Sequence, residues 1–182
     1  MSRRIPAEIQ ETQMNIIVAC DKNWGIGKDG HLLCHLSGDL KYFKEMTLGK
    51  TVVMGRVTLE SLPGGRGLPG RRNIVMTHDL DYTAEDAEVV HSLSELEEAV
   101  QDTPTDDVFI IGGARIYEQF LLFCQNVYVT KVDAVFEADR FFRNMDESRR
   151  FELQERSEVM EENGIQYQFL HYVKEPPEGG RR

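Results

Sequence analysis

Asp39 is a candidate catalytic or ligand-binding residue, because its carboxylate lies at the edge of an apolar helical stripe. The segment from Ser37 has a helical pattern, and its stripe is made by Leu36, Leu40 and Phe43. Asp39 lies beside that stripe, in the first turn. Either it stays hydrated there, where a negative charge favours the helix dipole, or it faces a pocket and awaits a ligand with hydrogen-bond donors. The pattern alone leaves both interpretations open.

A glycine pair between a strand and a helix is a candidate for binding an anion. The run IIGGARIY at 110–117 ends an apolar strand, turns through Gly112 and Gly113, and enters a helical pattern. Such a turn lets backbone N–H groups approach a phosphate closely, and the start of a helix adds partial positive charge. Because a glycine pair is less specific than GxGxxG, a plain tight turn is the alternative.

Three arginines stand beside predicted strands. Arg56 occurs in VVMGRVT, and Arg71 and Arg72 occur in LPGRRNIVMT. We expect all three just after strands, where ligands collect in an open α/β sheet, so each is a candidate for recognising phosphate or carboxylate. A solvated charge is the alternative for each arginine taken singly.

Strand-like runs alternate with helical patterns through the middle of the chain. Eight runs predict strands, at 15–20, 51–54, 72–77, 87–90, 107–112, 126–136, 151–160 and 165–173. Helices are predicted at 37–46, 56–62, 92–100 and 114–123, with Ser37 and Ser92 as N-cap candidates. The order predicts a doubly wound α/β fold, with a mainly parallel central sheet of about eight strands, helices on both faces and a C-terminal antiparallel hairpin.

Composition restricts the compartment and the partners. The 182 residues carry a formal net charge of −10, which opposes binding to nucleic acid. No apolar run reaches the roughly 20 residues of a membrane-spanning helix, and no apolar segment follows the N-terminal arginines as in a signal peptide. Three cysteines, Cys20, Cys34 and Cys124, lack metal-ligand spacing and suit a reducing compartment. We expect a cytoplasmic protein with a small-molecule partner and no metal.

The length and the distribution of apolar residues predict one domain at 14–174. Residues 1–13 are polar and precede the first apolar run, so they are interpreted as an appended arm. Residues 175–182, EPPEGGRR, have the composition of a disordered tail. No internal repeat or linker divides the region between them.

Across about residues 14–174 these segments, in this order, resemble the dihydrofolate reductase family. NIIVACDKNWGIGKDG resembles its first strand and mobile active-site loop, and HLSGDLKYFKEMTLGK resembles its substrate helix. TVVMGRVTLES, LPGRRNIVMT, IIGGARIYEQF and YVTKVDA follow in the family's order. The resemblance implies NADPH-dependent reduction of dihydrofolate to tetrahydrofolate for one-carbon metabolism, sensitivity to antifolate inhibitors, and a monomer.

The resemblance also assigns residues to the substrate. Asp39 matches the acidic group that binds the pterin 2-amino group and N3, and Thr130 matches the threonine that orients it. The pocket wall is implied to include Ile17, Ala19, Leu32, Leu40, Phe43 and Ile111. Arg71 matches the arginine that grips the glutamate α-carboxylate of the substrate, a task that suits a planar guanidinium.

A second set of residues is implied to bind NADPH. The set comprises Ala19, Ile26, Gly55, Arg56, Val57, Thr58, Thr77, His78, Gly112, Gly113, Ala114, Arg115, Ile116 and Tyr117. Within it, Arg56, Thr77 and His78 match the 2′-phosphate site, so NADPH is expected over NADH. The glycine pair matches the pyrophosphate turn, and its peptide bond is expected to be cis.

The sequence departs from the family pattern beside the substrate helix. Leu33 and Cys34 stand where the family has Pro-Trp, and Ser37 stands where it has proline. The tryptophan closes over the pterin, and a cysteine offers much less area. One alternative function is therefore a folate- or NADPH-binding homologue with low turnover. Another is a related pteridine or flavin-precursor reductase, which Asp39 and Arg71 together disfavour.

Further departures lie in two loops. Arg140 and Arg143 occupy ADRFFRNMD, where the family tends to have threonine and proline, while Asp139 is kept and is expected to tether the mobile loop. The run PGGRG at 63–67 lengthens the loop before Leu68. We expect this insertion close to the Arg71 end of the substrate groove.

Overall fold

The structure is a computed structural model that describes residues 14–176. The predicted arm at 1–13, and the predicted tail beyond its first two residues, lie outside the described residues. The helices are α1 (Ser37–Thr47), α2 (Arg56–Ser61), α3 (Leu93–Val100) and α4 (Ala114–Phe120). Short 3₁₀ segments occur at Pro63–Gly65, Thr105–Asp107, Leu121–Phe123 and Met145–Glu147. No helix within 14–176 is long and apolar enough to cross a membrane.

The strands within the described residues form one large sheet and one small ribbon. They are β1 (Met14–Cys20), β2 (Gly25–Gly27), β3 (Thr51–Gly55), β4 (Arg72–Met76), β5 (Glu88–Val90), β6 (Val108–Gly112), β7 (Cys124–Val132), β8 (Arg140–Phe141), β9 (Phe151–Arg156), β10 (Met160–Glu162) and β11 (Ile165–Lys174). The large sheet has the order β10-β11-β7-β1-β6-β3-β4-β5, and β9 pairs with β11. β2 pairs with β8 in the ribbon.

The sheet confirms the predicted mainly parallel arrangement. β7, β1, β6, β3, β4 and β5 pair in parallel, whereas β11 runs antiparallel to β7, β9 and β10. The central strand β1 is buried on both faces, as parallel strands usually are. Its residues Ile16 and Val18 pack toward α3 and α4, while Ile17 packs toward α1 and α2. Helices therefore cover both faces, as predicted.

The single strand predicted at 151–160 is instead two strands, β9 and β10, separated by residues 157–159, of which Ser157 is the first. Its hydroxyl accepts a hydrogen bond from the backbone N–H of Phe169 at 2.9 Å, and its carbonyl accepts one from the Gln168 side chain at 2.7 Å. The Ser157 side chain thus replaces a backbone carbonyl as the acceptor for the Phe169 N–H, because serine offers the backbone an alternative hydrogen-bond partner. The pattern at 114–123 also divides, into α4 and a 3₁₀ segment, and β7 begins and ends earlier than predicted.

The two N-cap predictions have different outcomes. Ser92 caps α3 as predicted, since its hydroxyl accepts a hydrogen bond from the Glu95 N–H at 3.1 Å. Ser37 does not cap α1, because the N-cap position belongs to Leu36, which has no polar side chain to offer. Ser37 is the first residue of the helix, and its hydroxyl bonds instead to Glu162 on β10.

Candidate functional site

The carboxyl ends of the parallel strands bring the predicted cofactor residues together. β3 ends at Gly55, which pairs in register with Met76 of β4, and Met54 pairs with Gly112 of β6. Thr77 follows β4 directly, so three separate stretches of sequence meet at one edge of the sheet. Such an edge is where open α/β sheets bind ligands.

Asp39 and Thr130 meet at the start of α1. Thr130 lies on β7 opposite Ala19 of β1, is 1% exposed, and donates a hydrogen bond from Oγ1 to Asp39 Oδ1 at 2.6 Å. The Asp39 carboxyl is half-buried. Burial raises its pKa above the ordinary value, and the hydrogen bond from Thr130 opposes part of that rise. Asp39 is thus held in a low-polarity position with its second oxygen available to a ligand.

A cavity opens beside Asp39, between α1 and the loop that follows β1. It is lined by five of the predicted residues: Ala19, Ile26, Leu32, Asp39 and Leu40. The sequence analysis missed other members of the lining, which include Leu36, Val132 and Phe136. Leu32 and Leu40 are 60% and 51% exposed, an unusual position for two leucines that share a cavity wall. A ligand that enters the cavity would cover part of this apolar surface.

Three other predicted wall residues lie deeper, in the packing between α1 and the sheet. Ile17 is buried, and Phe43 and Ile111 pack against the same apolar cluster on that face of the sheet. None of the three lines the cavity itself. Phe43 of α1 thus packs with Ile17 and Ile111 of the sheet, and this contact fixes the height at which the helix carries Asp39.

Arg71 lies near the C-terminal end of α1, and it precedes a strand, whereas the sequence predicted that it follows one. Arg71 and Arg72 precede β4 or begin it, rather than following a strand. The Arg71 guanidinium donates to the Pro69 carbonyl at 3.0 Å and to Oγ1 of Thr47, the last residue of α1, at 3.4 Å. Thr47 lies eight positions after Asp39, which at a rise of 1.5 Å per residue is about 12 Å along the helix.

The two neighbouring arginines have different partners. Arg72 is paired with Glu88 through Nε at 2.5 Å and Nη2 at 2.8 Å, and it also donates to the Ala99 carbonyl. Arg71 makes no ion pair with any carboxylate among residues 14–176, and its partners are neutral oxygens. Arg71 is therefore the one of the pair whose charge can still be matched by an anion.

The glycine turn brings the starts of α2 and α4 close to each other. The Gly112–Gly113 peptide bond is cis, as predicted. A Cβ built on Gly55 would lie 3.1 Å from Cγ1 of Ile116 and 3.8 Å from the Gly113 nitrogen, and one on Gly112 would lie 3.0 Å from Oγ1 of Thr58. Gly55 therefore lets Ile116 of α4 pack against its backbone, and Gly112 does the same for Thr58 of α2, where β3 and β6 end side by side.

Other members of the predicted cofactor set differ in exposure. Val57 and Arg115 are exposed, and Ala114 is half-buried, so all three border solvent near the turn. Tyr117 is buried, and its hydroxyl donates to the Ile17 carbonyl at 2.9 Å. The Tyr117 ring therefore belongs to the core and fastens α4 to β1.

Arg56 is bound to carboxylates that the sequence analysis missed. Its Nε donates to Glu60 at 2.9 Å, its Nη1 to Asp79 at 3.4 Å, and its guanidinium lies 4.8 Å from the centre of the Tyr82 ring. Glu60 is four residues after Arg56 on α2, a spacing that signals a helical ion pair. Thr77 accepts a hydrogen bond from the Asp79 N–H at 3.2 Å, so Asp79 lies beside the predicted phosphate residues.

Two aspartates organise the loop after β1. Asp139 accepts a hydrogen bond from the Asp29 N–H at 3.0 Å, which confirms its predicted contact with that loop. Asp21, which the sequence analysis missed, is 2% exposed. Its oxygens accept from the N–H groups of Asn23 at 2.9 Å, Gly25 at 2.8 Å and Phe136 at 3.0 Å. The loop that forms one wall of the cavity is thus fastened at both ends.

Cys34 lines the cavity near Asp39 and is half-buried. It packs against an apolar cluster formed by Leu36, Val132 and Tyr167. Burial raises the pKa of the Cys34 thiol, so the side chain is neutral at physiological pH. Cys34 therefore serves as a small apolar wall residue.

Comparisons with known proteins identify the family to which this sequence is similar. The model of the dihydrofolate reductase family matches residues 13–174. Dihydrofolate reductase from Bacillus subtilis (strain 168) is 39% identical over 162 residues, 88% of this chain and 94% of the relative. The Neisseria gonorrhoeae dihydrofolate reductase is 39% identical over 161 residues, covering 88% and 98%.

A solved structure extends the similarity to three dimensions. It is dihydrofolate reductase from Enterococcus faecalis complexed with NADP(H) and RAB-propyl, with a TM-score of 0.79 and 36% identity. The match covers 91% of this chain and 98% of that one. The predicted fold is confirmed, and the chain belongs to the dihydrofolate reductase family.

Proposed function

We propose that this protein catalyses the NADPH-dependent reduction of 7,8-dihydrofolate to 5,6,7,8-tetrahydrofolate. A hydride is added at pterin C6 and a proton at N5. Family membership gives the class of enzyme, an oxidoreductase that uses NADPH. The observation that carries the choice of substrate is the pairing of Asp39 with Thr130 in an apolar cavity, with Arg71 at the far end of the same helix.

The pterin end of the site follows from the Asp39 carboxyl. One oxygen accepts the Thr130 hydroxyl, which helps to orient the carboxyl, and the two oxygens keep free lone pairs that can accept from the pterin 2-amino group and N3. A negative charge held in low-polarity surroundings favours protonation of the bound pterin. Asp39 thus promotes proton delivery to N5, with water as the proton donor.

The other end of the substrate is a glutamate, and Arg71 is the proposed partner of its α-carboxylate. Its guanidinium has only neutral acceptors, so a carboxylate would be its first anionic partner. The roughly 12 Å along α1 matches a substrate that is anchored at both ends. The exposed Leu32 and Leu40 line the cavity beside Asp39, where apolar rings of the substrate can cover them.

The turn at Gly112–Gly113 and the start of α2 fit the cofactor. When bound there, NADPH supplies the hydride from C4 of its nicotinamide ring. Backbone N–H groups of the turn would meet the pyrophosphate, and Thr58, whose hydroxyl lies against Gly112 and Gly113, would add a hydrogen-bonding group. Arg56, Thr77 and His78 would hold the 2′-phosphate, with Arg56 exchanging a carboxylate partner for the phosphate.

Steady-state turnover of the purified protein tests the proposal. NADPH oxidation should depend on added dihydrofolate, and it should be much slower with an unconjugated dihydropterin that lacks the glutamate for Arg71. Equal rates with both substrates would favour a reductase of free pteridines. If neither dihydrofolate nor the dihydropterin supports NADPH oxidation, the proposed reaction is refuted.

A low-turnover binding protein is the second candidate, because Cys34 lines the cavity where the family has tryptophan. It predicts tight binding of dihydrofolate and NADPH without appreciable oxidation of the cofactor. Equilibrium titration of both ligands, combined with the turnover assay, separates the two candidates. Binding with turnover supports the reductase, and binding without turnover supports the second candidate.

A further inference from the structure

The C-terminal hairpin contacts the first turn of α1, more than a hundred residues away in the sequence. Glu162, at the end of β10, accepts a hydrogen bond from the Ser37 N–H at 2.7 Å and one from the Gly38 N–H at 3.4 Å. It also accepts one from the Ser37 hydroxyl. These hydrogen bonds from Ser37 hold the pKa of the Glu162 carboxyl below its ordinary value.

The first turn of α1 needs an external partner, because its own sequence caps it poorly. The N-cap residue is Leu36, which has no side-chain acceptor, so the first N–H groups would otherwise depend on water. Gly38 further weakens the turn, since glycine is a poor helix former. Asp39 is the next residue, so fraying of this turn would move the carboxyl that binds the pterin.

The same hairpin also holds α1 at two other places. A Cβ on Gly38 would lie 2.0 Å from the Tyr167 hydroxyl, so Gly38 allows the β11 side chain to lie against the helix backbone. One turn later, the rings of Tyr42 and Phe169 stack at 3.9 Å. Phe169 pairs in register with Thr130, the partner of Asp39. Glu162 therefore completes a row of contacts along α1.

We propose that Glu162 is a positioning residue for the reaction, because it caps the first turn of α1 from the hairpin and thereby fixes Asp39 against Thr130. The kinetic effect of Glu162 rests on the proposed function, whereas the capping of α1 is independent of it. The carboxylate supplies the acceptor that Leu36 lacks, and the substrate helix is in this way tied to the C-terminal edge of the sheet.

The kinetic test compares Glu162→Ala, Glu162→Gln and Glu161→Ala in the full-length protein. Glu161 is exposed on the same strand and forms no hydrogen bond or ion pair with α1 among the described residues, so it is the matched control. Glu162→Ala should raise the KM for dihydrofolate about three- to tenfold and lower kcat per active site, with the Kd for NADPH changed less than twofold. Glu162→Gln keeps an acceptor and should recover most of the KM, and Glu161→Ala should behave like the unmodified protein.

A merely structural role would lower the melting temperature and the active fraction, but it would leave the KM and kcat per active site unchanged. That result for Glu162→Ala would overturn the proposal. So would a Glu162→Gln variant as impaired as Glu162→Ala, because the amide retains an acceptor for the same N–H groups.

Amide hydrogen exchange tests the cap without any substrate. In Glu162→Ala the N–H groups of Ser37 and Gly38 should exchange at least tenfold faster, while those of α3 keep their rates. Unchanged exchange would refute the capping. If the unmodified protein does not reduce dihydrofolate, the proposed function fails, and the exchange result still decides whether Glu162 caps α1.

Discussion

The two arginines proposed to meet anions, Arg71 and Arg56, are held in opposite ways. Arg71 donates only to neutral oxygens, including the hydroxyl of Thr47 on the helix that carries Asp39. Arg56 is shared by Glu60 and Asp79 at the exposed edge of the sheet. An anion at Arg71 meets an unmatched charge, whereas one at Arg56 must displace a carboxylate. On the proposed assignment, the substrate end is arranged before binding, and the cofactor end rearranges during binding.

The substrate end should show the largest effect, in Asp39→Asn. The amide keeps the shape but removes the charge that favours a protonated pterin, so kcat should fall by about 10²-fold or more. Stopped-flow measurement of the hydride-transfer step at neutral pH checks this. A rate within about threefold of the unmodified enzyme would remove Asp39 from its proposed role.

The stability of the same variant gives a pH test with a definite sign. Burial raises the folded-state pKa of Asp39, so the folded protein binds more protons than the unfolded chain between the two pKa values. This group therefore costs stability as pH rises through that window. Asp39→Asn should melt at a higher temperature than the unmodified protein at neutral pH, and the difference should disappear in acid. A lower melting temperature at neutral pH would contradict the assigned shift.

Arg71→Lys should have the next largest effect. A point charge replaces a planar fork, and a charge-assisted hydrogen bond is worth about 1.5 to 3 kcal/mol, so the KM for dihydrofolate should rise roughly tenfold or more. Arg72→Lys is the matched control, because Glu88 already occupies that guanidinium. Steady-state kinetics of both variants decide the assignment. A larger change in Arg72→Lys would transfer the carboxylate site to Arg72.

Substitutions at the proposed cofactor end should have smaller effects on binding, and the two variants should change NADPH affinity in opposite directions. Arg56→Ala should weaken NADPH binding more than NADH binding. Asp79→Asn should strengthen NADPH binding selectively, since the phosphate no longer competes with that carboxylate. The Arg56–Asp79 pair is exposed, so the gain should stay within about 1 kcal/mol, or about fivefold. Fluorescence titration with both cofactors measures the ratio. Equal shifts for NADPH and NADH would show that Arg56 does not meet the 2′-phosphate.

Cys34→Ala should give the smallest effect. The thiol is neutral because burial raises its pKa, and alanine preserves most of the small apolar wall. Both kcat and the KM for dihydrofolate should therefore stay within about twofold of the unmodified enzyme. A loss beyond tenfold would mean that the sulfur has a role in the reaction.

Much of the fold could be predicted because it depends on local patterns. Apolar runs that alternate with helical patterns predicted a mainly parallel sheet. Ser92, an N-cap candidate, predicted the start of α3. The division near Ser157 was not predictable, since it depends on a side chain that bonds to a strand with which it pairs only in the fold. The ribbon of β2 and β8 was missed because strands of three and two residues carry no periodicity.

The site was less accessible to pattern alone. Asp39 and Thr130 are 91 residues apart, and only the family resemblance joined them. Glu60 could have been found as a partner of Arg56 from its i, i+4 spacing, whereas Asp79 could not. Glu162 gave no local signal at all, because its target lies 125 residues away. Partners brought together by topology have to be read from the structure.

The central claim is that Asp39 and the glycine turn serve a single hydride transfer to the pterin. NADPH carrying deuterium on the transferred position of nicotinamide C4 tests it most directly, in a single turnover with dihydrofolate followed by mass and NMR analysis of the product. The account predicts tetrahydrofolate with one deuterium, located at C6, and a greatly slowed transfer in Asp39→Asn. Product without deuterium at C6, or equal transfer in the Asp39→Asn variant, would contradict it.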